Sequence, residues 1–68
     1  MDAEVEVKAE IMKVMQRNEE FREMVNDSVE GLKMITVRDG LANFQGKKLI
    51  LTIPVEAVLN YYGRETKK

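Results

Sequence analysis

Ser28 lies between Asp27 and Glu30, a hydroxyl with carboxylates on both sides in sequence. Nucleophilic hydrolysis needs a hydroxyl or thiol with a base beside it. The chain contains no Cys and no His, so the base would have to be Lys, Asp or Glu. Ser and Asp are in any case favoured near helix ends, where they bond the local backbone. Catalysis is therefore not expected, and no catalytic residue is assigned. Glu19, Glu23 and Asp27 follow one another at i,i+4 spacing, with Glu20 beside them, and would share one helix face. Carboxylates in such a row could hold Mg²⁺ or Ca²⁺, but the glycine-containing loop of a calcium site is absent. The expected role is a solvated acidic face, or a docking surface for a basic partner. No metal ligand and no cofactor-binding residue is assigned, and no cofactor is expected.

A third set of residues points to nucleic acid. Lys33, Arg38, Lys47, Lys48 and Arg64, with Phe44 and Tyr61 near them in sequence, combine the cations that phosphates require with aromatic surface on which bases stack. The net charge is −1, yet its distribution is uneven: residues 1–30 carry a net −5 and residues 31–68 a net +4. Two halves of opposite sign attract one another within a fold or across a dimer. Alternatively, the second half presents a basic surface to a partner.

The elements that must position these residues belong to a small chain. Sixty-eight residues are expected to form one domain spanning 1–68, with 64–68 as a mobile tail. A core of this size supplies only about 3–5 kcal/mol. Without Cys there is no disulfide or thiolate zinc site, so self-association is the reinforcement left open. The start, MDAEVEVKAE, lacks the basic and apolar regions of a signal peptide, and no apolar run is long enough to span a bilayer. A cytoplasmic location is the expectation.

Residues 3 to about 30 read as helix. Asp2 is a candidate N-cap, Glu4 and Glu6 sit in the first turn, and Gly31 is the candidate left-handed terminator. Val7, Ile11, Val14, Asn18, Phe21, Val25, Ser28 and Leu32 follow a 4-3-4 rhythm, the seam spacing of a coiled coil. Val5, Met12 and Met15 widen the stripe over the N-terminal half, into a broader arc than one small sheet is expected to cover. Val5, Val7, Ile11, Met12, Val14, Met15 and Asn18 are therefore the candidate homodimer interface. Asn18 has three readings: an N-cap that breaks the helix near Arg17–Asn18, a solvated residue in a continuous helix, or a buried seam residue that sets register.

Residues 33–39, KMITVRD, alternate as a strand with Ile35 and Val37 on one side, and Asp39–Gly40 is a hairpin turn signal. Residues 41–46 are either a short middle strand or a hairpin loop closed by Gly46. Lys47–Ile53 reads as a strand with Leu49, Leu51 and Ile53 toward the core. Pro54 lacks an N–H and suits the first position of a helix. Val55, Val58, Leu59 and Tyr62 then form a helical stripe ending at Gly63, with Leu59 in the core and Tyr61 turned to solvent as the candidate partner-binding residue.

The run from Thr36 to Gly63, with Gly46, a strand, Thr52-Ile53-Pro54-x-Glu56 and a short helix, resembles the first half of the AbrB/MazE swapped-hairpin transcription factors. That resemblance implies DNA binding as an interlocked dimer. Three departures stand against carrying the activity over: Val55 takes the place of the usual basic residue, a second pair of strands is absent, and a long N-terminal helix is added. The expectation is a small α+β domain in which a long N-terminal helix packs on a two- or three-stranded antiparallel sheet and a short C-terminal helix completes the core. The expected function is a non-enzymatic, homo-oligomeric protein-interaction module. A DNA- or RNA-binding regulator using the basic second half is the alternative.

Overall fold

A computed structural model describes residues 3–62, with side chains through Asn60. Two helices come first, α1 (Ala3–Arg17) and α2 (Glu19–Val29). Three strands follow: β1 (Met34–Arg38), β2 (Leu41–Gln45) and β3 (Ile50–Pro54). Last is the helical turn α3 (Val55–Ala57), which widens into a π-helical turn over Val58–Tyr62. The expected α+β class is thus observed. The Cα extents of 32 × 31 × 15 Å leave the thin dimension room for one sheet and one helical layer.

The break between α1 and α2 is the first of the three readings of Asn18. Its backbone is extended (φ −117°, ψ 92°), and its side-chain oxygen accepts from the Phe21 N–H at 3.1 Å. Its own N–H donates to the Val14 carbonyl (2.9 Å), closing α1, while its carbonyl accepts from the Arg22 N–H (3.1 Å), opening α2. Arg22 Nη1 also donates back to the Met15 carbonyl at 3.3 Å, satisfying an acceptor that α1 leaves open at its end. Asn18 is buried, but as a cap within its own chain.

At the other end of α2 the left-handed residue is Glu30 (φ 59°), one position earlier than the expected Gly31, which also has positive φ (85°). The Gly31 N–H reaches the Asn26 carbonyl (2.9 Å), the long bond of a Schellman-type end. The Asn26 side chain caps the exit by accepting from the Leu32 N–H at 2.8 Å.

Residues 41–46 resolve as the middle strand. The sheet is a meander of order β1-β2-β3, with Ile35↔Phe44↔Leu51 and Val37↔Ala42↔Ile53 in register on the covered face. Asp39 (φ 54°) and Gly40 (φ 76°) both take positive φ, the geometry of a type I′ hairpin turn. Gly46 is needed for a different reason. A Cβ there would fall inside van der Waals contact of the Val29 carbonyl and side chain, so the β2–β3 corner meets the end of α2 only without one.

The core lies between sheet and helices: Ile11, Val14 and Met15 from α1, Phe21, Val25 and Val29 from α2, Ile35, Ala42 and Phe44 from the sheet, and Val58. Phe21 and Phe44 meet edge to face, centroids 5.9 Å apart at 86°, a favoured aromatic arrangement.

Several expectations about the last third need correction. Leu49 does not face the core. The Gly46 N–H donates to the Leu49 carbonyl (3.1 Å), so residues 46–49 form the turn, β3 starts at Ile50, and Leu49 is 61% exposed. Leu51 and Leu59 are half-buried because an edge strand and a terminal turn are covered on one side only, and the fully buried residue is Val58. Pro54 ends β3 opposite Leu41 and precedes the helix instead of starting it.

Candidate interaction site

Hydrogen-bond parity determines what each edge of the sheet offers. The Gly46 N–H bonds to Leu49 and the Val55 N–H bonds to the Gly40 carbonyl (3.0 Å). Both pairs continue the register Ala42↔Ile53 and Phe44↔Leu51. Hydrogen-bonded pairs alternate along an antiparallel ladder, so Gly40, Ala42, Phe44 and Gly46 turn their backbone groups to β3. Leu41, Asn43 and Gln45 turn theirs to β1, where their partners are Arg38, Thr36 and Met34. The N–H and C=O groups of Ile35 and Val37 therefore point off the outer edge of β1. On β3 the outer edge falls to Ile50, Thr52 and Pro54. This explains how a proline fits in the strand: the N–H it lacks would have pointed away from the sheet.

A groove of about 350 Å³ runs beside the start of the β1 edge, lined by Lys8 and Met12 of α1 and by Leu32, Lys33, Met34 and Ile35. Met12 and Met34 remain 45% and 47% exposed on its two sides. Among the described residues neither Lys8 nor Lys33 has a carboxylate within ion-pair distance, whereas Lys13 meets Glu10, Arg38 meets Asp39 and Lys48 meets Glu30. This groove is the feature that reading the sequence missed. The available signal was the stripe Val5–Lys8–Met12 at helical spacing, which places a cation and a methionine on one flank of α1.

The candidate dimer residues separate into two groups. Ile11, Val14, Met15 and Asn18 are buried in their own chain, where the sheet, α2 and the C-terminal turn cover them. They are not available to a second protomer. Val7 is half-buried, and only Val5 and Met12 remain exposed. The broad arc was legible, but α1 is covered by a second helix and a terminal turn as well as by the sheet.

The candidate nucleic-acid residues are likewise divided. Lys33, Lys47 and Lys48 gather at the end of the sheet where α2 stops: the Lys33 N–H bonds the Gln45 carbonyl (2.8 Å) and the Lys47 N–H bonds the Glu30 carbonyl (3.1 Å). Cations at a helix C-terminus are favoured by its dipole. Arg38 lies at the far end of β1, paired with Asp39 at 3.8 Å. Phe44 is fully buried and offers no stacking surface. Arg64 lies outside the described residues.

The side chains of Tyr61 and Tyr62 also lie outside them, and the π-helical turn at Val58–Tyr62 removes the α-helical period used to separate the two. Ser28 Oγ donates to Met24 Sδ at 3.7 Å instead of engaging a carboxylate. Glu19, Glu20, Glu23 and Asp27 are exposed along α2, and among the described residues no group of three acidic side chains converges on a common point. Among the described residues no helix is long and apolar enough to cross a membrane.

Comparison with known proteins finds no matching family model, no matching curated protein and no matching solved structure. The resemblance to swapped-hairpin transcription factors gains no support from that comparison.

Proposed function

We propose that this protein is a small, non-enzymatic protein-interaction module that self-associates. The observation that carries the reading is a sheet that the described residues cover on one face only, with exposed apolar side chains around it: Met34, Leu41 and Ile50 on the open face and Leu49 at its corner. The centre of that face is polar, with Thr52 Oγ1 donating to Asn43 Oδ1 at 2.8 Å and Thr36 across from them.

Strand spacing and rise give the open face a footprint of only about 240 Å². A standard specific interface takes about 800 Å² per partner. Self-association through this face alone is therefore weak. A cytoplasmic setting belongs to the same proposal and fits a chain without cysteine.

Nucleic-acid binding is the second reading, favoured by the grouping of Lys33, Lys47 and Lys48. It is weakened by the Lys48–Glu30 ion pair (3.5 Å), by the burial of Phe44 and by the distance of Arg38 from the group. Light scattering from about 10 to 500 µM, a span that brackets the affinity of a weak dimer, tests the first reading. The expected result is a mass that rises toward twice that of the chain. A constant monomer mass, together with salt-sensitive binding of a labelled mixed-sequence oligonucleotide, would replace it with the second.

A further inference from the structure

We infer that the outer edge of β1 is a β-addition site for an extended acidic–apolar segment of a partner protein. The inference rests on the interaction-module reading and names the partner's chemistry. Three observations converge on one flank. First, Ile35 and Val37 direct their N–H and C=O groups off the edge, so an added strand finds two residues ready to exchange paired bonds. Second, the groove beside that edge, with Met12 and Leu32 next to Ile35 on the covered face, receives the apolar side chains of a strand paired to Ile35 and Val37. Third, Lys8 and Lys33 stand at the groove without a carboxylate partner among the described residues. A carboxylate two residues before or after the apolar positions of the incoming segment shares their face and completes them.

Two other occupants fit less well. In the helical layer α1 packs over β1, and α2 packs over β2 and β3. A second copy paired edge to edge would place two α1 helices over strands about 4.8 Å apart, whereas packed helices need about 8–10 Å between axes. A bare strand carries no helix and slides beneath the overhang of α1. The chain's own residues 63–68, GRETKK, carry three basic groups against one acidic group and would bring like charge to Lys8 and Lys33.

The probe is a capped heptapeptide with Glu, Val, Val and Glu at positions 1, 3, 5 and 7 and Thr between them, so that carboxylates and apolar side chains share one face, titrated into ¹⁵N-labelled full-length protein at low salt. The expected result is saturable binding that shifts the Ile35 and Val37 amides and slows their hydrogen exchange, while the Thr36 amide, already bonded to β2, changes little. The same peptide N-methylated at alternate residues should not bind. The double variant Lys8→Glu/Lys33→Glu should bind about tenfold more weakly, since two exposed attractions become repulsions, and should melt like the parent.

Shifts confined to the Ile50–Thr52 edge or the open sheet face would overturn the proposal. Equal binding of the N-methylated peptide would do so too, as would protection of Ile35 and Val37 that grows with protein concentration alone. If no peptide binds but light scattering still gives a dimer, the edge site is wrong and the interaction-module reading stands. A protein that neither binds peptide nor dimerises loses both.

Discussion

The two edges of the sheet are built from the same kind of strand and end up unlike each other. β1 and β3 each run five residues, pair with β2 on one side, and have no strand on the other side among the described residues. The β3 edge ends in Pro54, whose position on the outward-facing parity removes a donor from the open row, and the corner leading into β3 carries Lys47 and Lys48. Proline and lysine are two of the devices by which natural sheets blunt an edge. The β1 edge carries no proline. Its outward donors, Ile35 and Val37, lie beside α1 and an apolar groove with two ammonium groups that have no carboxylate partner among the described residues. One edge is blunted by its own sequence, and the other lies open beside α1. The lesson is that parity, not strand composition, decides which side of a strand its proline protects.

The largest effect should come from the strand both edges share. Phe44 is fully buried against Phe21, and Phe44→Ala should cost about 3–5 kcal/mol. That is comparable with all the stability a core of this size supplies, so the variant should show no cooperative melt by circular dichroism. A folded Phe44→Ala variant would mean that the two hairpins stand without their common core.

A smaller effect separates the two edges. Asn18 caps α2 and ends α1, the helix over β1. Asn18→Ala should cost about 1 kcal/mol, within the range for lost N-caps, and lower Tm by about 4–8 °C in a domain of this size. Hydrogen exchange should quicken at β1 and along α1 before it does at β3. Uniform quickening would show that α1 does not protect the β1 edge selectively.

The smallest effect on stability, and the sharpest test of the comparison, is Pro54→Val. The restored N–H points off the edge and joins no existing bond, so Tm should stay within a few degrees, as is usual for surface changes of about 0.5 kcal/mol. Association measured by light scattering should nevertheless increase, because the β3 edge regains a donor. An unchanged mass would assign the protection of that edge to Lys47 and Lys48 instead.

Much of the architecture was written in short-range patterns. The alternation of Ile35 and Val37 and the Asp39–Gly40 turn each depend on neighbours within a few residues, and each takes the form that the pattern implies. The 4-3-4 spacing from Val7 to Val25, by contrast, marks the buried residues but not a coiled-coil seam, since the helix breaks at Asn18 and packs within its own chain. Local chemistry also contained the break at Asn18, because Asn followed by two glutamates is a cap signal wherever it occurs, though only the backbone shows that the cap wins over a continuous helix.

What the sequence could not decide was what covers what. Ile11, Val14 and Met15 look the same in sequence whether a second chain or their own sheet lies against them. The choice was made by α2 and the C-terminal turn closing over α1. Leu49 shares the spacing of Leu51 and Ile53, yet it is exposed because a bond between Gly46 and Leu49 makes it a corner. The groove at Lys8, Met12 and Lys33 joins residues more than twenty positions apart, and the open donors of Ile35 and Val37 follow from a register set by both turns. Periodicity specifies which face of an element is apolar. Only the packed chain decides which apolar faces are used internally and which backbone groups point off an edge, because burial and ladder parity depend on contacts between segments far apart in sequence.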